Sequence, residues 1–194
     1  MSTIRSSRAH TTRPAMLIED DVVNSLTGRR SLAATRIAVG FIFLWAFLDK
    51  TFGLHYSTGA AVAEGTPTVA WINGGKPSQG FLLFGTTGPL KDFYGNIASA
   101  WTDWVFMIGL LGIGLALILG IGMRIAAVTG SVLLLLMWAA AWPFTQGSNN
   151  PVLDEHIIYA LVLITCAVLF AGDTWGLGRW WAGRSFVQRA TWLR

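Results

Sequence analysis

The chain has a single cysteine, Cys166, among 194 residues, and it lies inside an apolar run. A lone thiol forms neither an internal disulfide nor a Cys-x-x-Cys pair, so dithiol chemistry carried by this chain alone is excluded. Histidine is almost as scarce. His10 lies in the N-terminal tail, and His55 and His156 are far apart, with no His-x-x-x-His spacing. No metal site is therefore expected. The apolar helix interiors offer no histidine for a haem, and no Walker or dinucleotide motif is present, so no covalently bound cofactor is expected. Charge is the third shortage. Asp, Glu, Lys and Arg make up 12% of the residues, against about 25% in soluble domains. They cluster at the ends and in short loops, leaving long stretches without charge.

Those stretches read as membrane spans at about 31–52, 101–123, 125–144 and 152–175. Each is close to the ~20 residues a helix needs to cross ~30 Å of hydrocarbon. Backbone groups in lipid must be paired internally, so the spans are expected to be helices. The expected fold is all-α: a polytopic four-helix bundle of the membrane.

Arginine sets its direction. Arg5, Arg8, Arg13, Arg29, Arg30 and Arg36 precede or enter the first span, Arg124 lies between the second and third, and Arg179, Arg184, Arg189 and Arg194 follow the fourth. The other side has only Lys50, Lys76 and Lys91 among its cations. The positive-inside rule places both termini in the cytoplasm and a long loop, 54–100, outside. The net charge of +4 is thus topological, and nucleic acid is not an expected partner. The lipid bilayer is, with localisation in the plasma membrane as a multi-pass protein. No cleaved leader is read, and the first span acts as an uncleaved anchor.

Residues 1–30 form a cytoplasmic tail, disordered in its Ser, Thr and Arg-rich part, with the acidic patch Glu19-Asp20-Asp21 either in a short interfacial helix or in unordered chain. Residues 31–181 form the membrane domain, and 182–194 a basic cytoplasmic tail. In the outer loop, 69–72 and 80–84 are apolar but too short to span, and they are expected to lie on the outer leaflet. Phe93, Tyr94, Trp101 and Trp104 follow as an aromatic belt. Gly112, Ala116 and Gly120, and likewise Ala34 and Ala38, repeat at four-residue spacing and are expected to be helix contact stripes. Gly122-Met123-Arg124 forces spans two and three into a hairpin. Asn150-Pro151 reads as the cap and first residue of the last helix.

Three stretches give the chain a resemblance to the DoxX family of bacterial membrane proteins, in its actinobacterial form. They are Arg36 to Phe41 continuing to Leu48-Asp49-Lys50-Thr51-Phe52-Gly53, then Leu119 to Ala127 around Gly122-Met123-Arg124, and Asn150-Pro151 with Asp154 to Leu161, closing with Thr174 to Trp181. The resemblance implies a four-helix bundle. It also implies one of two roles. Some relatives are the large subunit of a thiosulfate:quinone oxidoreductase, and a mycobacterial relative is linked to an oxidative-stress assembly. The partners implied are membrane quinone and proteins of a respiratory or redox complex.

Under the first role, the outer ends of the helices form one chamber. Lys50, with His55 or Lys91, attracts the sulfur anion; His156 and Tyr159 bind a quinone carbonyl and move its proton; Trp138 and Trp142 wall the ring. Lys50, His156 and Tyr159 are the candidate catalytic residues, and Lys50, His55, Lys91, Trp138 and Trp142 the candidate substrate contacts. Plainer readings stand beside these. Lys50 snorkels to the interface or pairs with Asp154 or Glu155, locking the first span to the fourth beside Asp49. Asp154 and Glu155 favour a helix N-terminus. The tryptophans are belt residues, Cys166 is packing, and Asp173 pairs with Arg124 or Arg179. Under the second role the chain is a non-enzymatic anchor. A transporter is the least supported class, since no internal repeat is visible.

Overall fold

The computed structural model describes residues 16–59, 69–144 and 150–194. Among them every regular element is helical: α1 (Glu19–Val22), α2 (Leu26–Phe52), α3 (Lys91–Ile97), α4 (Ala100–Leu119), α5 (Met123–Ala141), α6 (Glu155–Val168), α7 (Gly178–Ala182) and α8 (Ser185–Arg189). Short helical turns stand at Trp71–Asn73, Phe81–Gly85, Gly88–Leu90 and Thr191–Leu193. Three helices, α2, α4 and α5, are long and apolar enough to cross a bilayer.

The fourth expected span is shorter than its apolar run. α6 has 14 residues, about 21 Å at ~1.5 Å per residue. It stops because Phe170 turns to φ 53, and Ala171 N–H then bonds back to the Cys166 carbonyl. Its start is also later than expected. Asn150 Oδ1 accepts from Val152 and Leu153 N–H, making a turn. Asp154 is the actual cap, accepting from His156 and Ile157 N–H. A carboxylate one turn further along outcompetes the Asn-Pro signal for the exposed first-turn donors.

α2 packs on α4, α4 on α5, α5 on α6, and α6 returns to α2. Val39 and Phe43 of α2, Met107, Leu110, Ile113 and Leu117 of α4, Leu134 of α5 and Leu163 of α6 meet in one buried cluster, which includes Cys166. The outward faces stay apolar: Ile108, Val128, Leu161 and Val168 are all more than half exposed.

Of the residues the spacing picked out, Gly120 lies at a close approach, to Gly172, but the contact between α2 and α4 is set by other glycines. A methyl group on Gly40 would sit 2.8 Å from Leu117 Cβ, and one on Gly114 2.8 Å from Leu44 N. α2 and α4 therefore touch at Gly40 and Gly114. Gly112 faces open space, and Ala34 and Ala38 are exposed. Four-residue spacing finds a stripe of small residues but not which way it faces. The α4–α5 hairpin does form at the glycine-arginine link, where Gly120 and Gly122 take φ 71 and 60, values that suit a residue without Cβ.

The end of α4 shows what holds the arginine-rich side together. The last four carbonyls of a helix have no intrahelical donor. Ala116 O accepts from Gly120 and Ile121 N–H, and Leu119 O from Leu177 N–H. Leu117 and Ile118 O both accept from Arg36 Nη1. The same guanidinium donates through Nε to Ala171 O at 2.9 Å, and through Nη2 to Thr174 and Trp175 O, each at 3.1 Å. Arg36 is fully buried, and its hydrogen-bond partners among the described residues are all carbonyls. It thereby ties α2 to the end of α4 and to the non-helical segment after α6. Such irregular backbone survives beside lipid only where protein satisfies it.

Replacing Arg36 with Ala orphans these carbonyls and is expected to cost about 3–5 kcal/mol. Arg36→Lys, with three donors and no planar fork, is expected to recover only part of that. Thermal unfolding of the purified protein in detergent checks this. An unchanged midpoint for Arg36→Ala would show that the carbonyls find other donors.

Candidate functional site

Polar groups gather at both ends of the helices, and each end has its own chemistry. At the end opposite the arginines, Asp49 is buried in the last turn of α2. It turns toward the loop that follows rather than toward α6, accepting from Tyr56 N–H at 3.2 Å, Ser57 N–H at 3.0 Å and the Ser57 hydroxyl at 2.6 Å. Asp103, buried in the first turn of α4, does the same for residues further along. It accepts from Ser78 N–H at 2.8 Å, the Ser78 hydroxyl at 2.7 Å and the Gln79 amide at 2.6 Å.

The loop also closes the end of α5. Thr87 N–H donates to Ala140 O and its hydroxyl to Ala141 O. Tyr94 is buried, with its hydroxyl on Leu136 O at 2.8 Å. It is therefore a packing residue rather than a member of an aromatic belt, and burial raises its phenol pKa. Trp71 stacks edge-on against Trp104 at 4.6 Å. The described part of the long loop is thus a folded cap, anchored on three helices.

The residues singled out for redox chemistry lie around this cap. Asp154 caps α6, and its second oxygen lies 2.8 Å from His156 Nδ1. Burial opposes ionisation of Asp154, but the His156 ring and the capping N–H groups outweigh it and hold the carboxyl below the usual range. Glu155 is exposed and Tyr159 half-buried against the core. Lys50 is half-buried and makes no ion pair among the described residues, so the expected lock from Lys50 to Asp154 or Glu155 is absent there.

His55 is exposed in a tight turn at φ 67, with its N–H on Thr58 O, and Lys91 is exposed at the start of α3. Trp142 ends α5 at φ 42 and sits over Gly88, and both Trp138 and Trp142 contact the Phe144 ring edge-on. The Trp138 indole nitrogen is buried without a hydrogen-bond partner among the described residues. No hydrogen bond or ion pair links Lys50, His55, Lys91 and His156 to one another among the described residues. Asp154, Glu155 and His156 do bring ligand atoms within 4.8 Å. Both Asp154 oxygens are already used in the cap, so the geometry is that of a helix start.

At the arginine-rich end the structure orders a segment left open by the sequence. α1 docks on the turn after α6: Glu19 N–H donates to Asp173 Oδ2 at 2.9 Å, and the Thr174 hydroxyl donates to Glu19 Oε2 at 2.5 Å. Asp20 pairs with Arg29 and, at 2.6 Å, with Arg179. Asp173 pairs with Arg194 at 2.8 Å, both side chains being buried, in place of the expected Arg124 or Arg179. The basic tail folds back, with Trp181 Nε1 donating to Leu193 O and Arg184 stacked 3.8 Å over Trp180.

Asp103, Arg36 and Arg194 were not singled out by the sequence reading. The signal for the first two was present, since a charge inside an apolar helix implies a dedicated partner. Arg194 had no such signal. Comparison of the chain with protein-family profiles, curated proteins and solved structures returns no match.

Burial raises the Glu19 carboxyl pKa, and Asp173 adds to this against the opposing Thr174 hydroxyl and Arg29. An acid with a raised folded-state pKa stabilises the docked form fully below its unfolded pKa, and that contribution is lost as pH rises through the raised value. Amide exchange protection of residues 18–23 is therefore expected to fall as pH rises from about 4 to about 8, and to become flat in Glu19→Gln. A steeper fall in Glu19→Gln would assign the dependence to another group.

Proposed function

We propose that this chain is a DoxX-like, non-catalytic membrane subunit that anchors or stabilises a respiratory or oxidative-stress complex. In this reading α2, α4, α5 and the shorter α6 form a four-helix bundle in the plasma membrane, with both termini in the cytoplasm and the folded cap outside. The observation that supports it is the use to which the buried ionisable groups are put. Asp49, Asp103 and Asp154 each accept several hydrogen bonds from their own chain. Arg36 is consumed by carbonyls. Groups committed in this way build a rigid frame, and a catalytic acid or base needs a free face toward a substrate.

One observation favours the second reading, a thiosulfate:quinone oxidoreductase. Lys50 carries no ion pair, the Tyr159 hydroxyl no hydrogen bond, and the buried Trp138 indole N–H no acceptor among the described residues. Three donors without acceptors suit an anion or a quinone carbonyl. The Asp154 carboxylate would orient His156 beside them.

Thiosulfate-dependent quinone reduction, measured in host membranes with and without the gene, separates the two. The anchor reading expects an unchanged rate, together with a respiratory complex shifted to lower mass on native gels. A rate lost on deletion and restored by wild type but not by Lys50→Ala would overturn it in favour of the oxidoreductase.

A further inference from the structure

A groove of about 570 Å³ runs between α5 and α6 on the outer surface of the helices. Its walls are Val128 and Val132 of α5 and Ile164 and Val168 of α6, all well exposed, and its floor is the buried pair Ala127 and Ala167. Small side chains on the floor between larger ones on the walls make a channel open along its side. Arg124 lies at one end and Leu135 at the other. The eleven helical steps from one to the other correspond to about 16 Å of helix, roughly half of the ~30 Å hydrocarbon core. The channel is one leaflet long.

Arg124 is the one charged residue of this lining. Its neighbours have used their charges elsewhere: Arg194 on Asp173 and Arg179 on Asp20. Arg124 is exposed, and its guanidinium donates only to Thr191 O, at 3.2 Å, among the described residues. A guanidinium has five N–H donors, so most of this one's remain for a ligand. Its backbone N–H is held by Arg194 O at 2.9 Å, which fixes where the side chain starts.

We propose that this groove holds an acyl chain of an anionic phospholipid from the leaflet at the arginine-rich end, with the lipid phosphate on Arg124. The inference does not depend on whether the chain is an anchor or an enzyme. Charge complementarity selects the occupant. An apolar channel ending in an uncompensated cation matches a hydrocarbon tail ending in a phosphate, the pairing by which basic pockets between membrane helices take anionic headgroups. A neutral quinone leaves the guanidinium's charge uncompensated. Ser131 tells the two apart, because its hydroxyl oxygen is buried beside the groove without a hydrogen-bond partner among the described residues. A quinone carbonyl would engage it, and a hydrocarbon tail does not.

The test is native mass spectrometry of the full chain in detergent, titrated with phosphatidylglycerol, phosphatidylcholine or an isoprenoid quinone. The expected result is one phosphatidylglycerol bound about ten-fold more tightly than phosphatidylcholine. Arg124→Gln should erase the difference, Ser131→Ala should leave it intact, and Val132→Trp should weaken both lipids by filling the channel. Glycerophosphate, which has the charge but no tail, should not bind. Equal affinity for the two lipids, or a preference that survives Arg124→Gln, overturns the proposal. So does quinone binding that depends on Ser131 and displaces the lipid.

Discussion

A guanidinium taken out of water needs all its donors matched, because an unmet buried charge costs several kcal/mol. Arg36 meets that requirement without a carboxylate. Its five acceptors are carbonyls that the end of α4 and the turn after α6 would otherwise leave bare. The negative ends of helix dipoles converge on it as well. One side chain therefore satisfies two sets of backbone groups at once. This is why α6 can stop early while the chain continues as a packed turn. That turn is tight enough to place Gly172 against Gly120 and Gly176 against the Arg36 guanidinium. It also presents Asp173 and Thr174 for the docking of α1, so the order of the N-terminal segment depends on the same centre.

The opposite end solves a similar problem with acids. Asp49 and Asp103 are buried at the mouths of α2 and α4, where each gathers N–H and hydroxyl donors from the loop. An Asp carboxylate offers about four lone-pair sites on two oxygens, so one residue can fix several groups of a loop at once. Thr87 and Tyr94 then supply donors to the last turns of α5. The described part of the cap is therefore part of the protein's frame.

This arrangement divides the ionisable residues into two kinds. Asp49, Asp103, Asp154, Arg36 and Asp173 are fully engaged within the chain. Among the described residues, Lys50, Arg124 and the Trp138 indole retain unused donors. Such donors suit ligands with acceptor oxygens.

The membrane character was legible in the sequence, because it depends only on local quantities: the length of an apolar run and the scarcity of charge within it. The three long helices and the hairpin at Gly122-Met123-Arg124 followed for the same reason, since a short glycine link permits few geometries. The extent of α6 was not legible, because apolarity marks burial or lipid and does not separate a helix from a packed turn. Spacing found small residues on α2 and α4, but only the packing decided that Gly40 and Gly114, not Ala34, Ala38 or Gly112, lie at the contact. The acids and arginines were visible as residues that need partners. Which partner each took, Asp173 with Arg194 and Asp49 with its loop, was decided by the tertiary structure, because it brings together groups as much as 159 residues apart, a separation at which sequence spacing carries no geometric information.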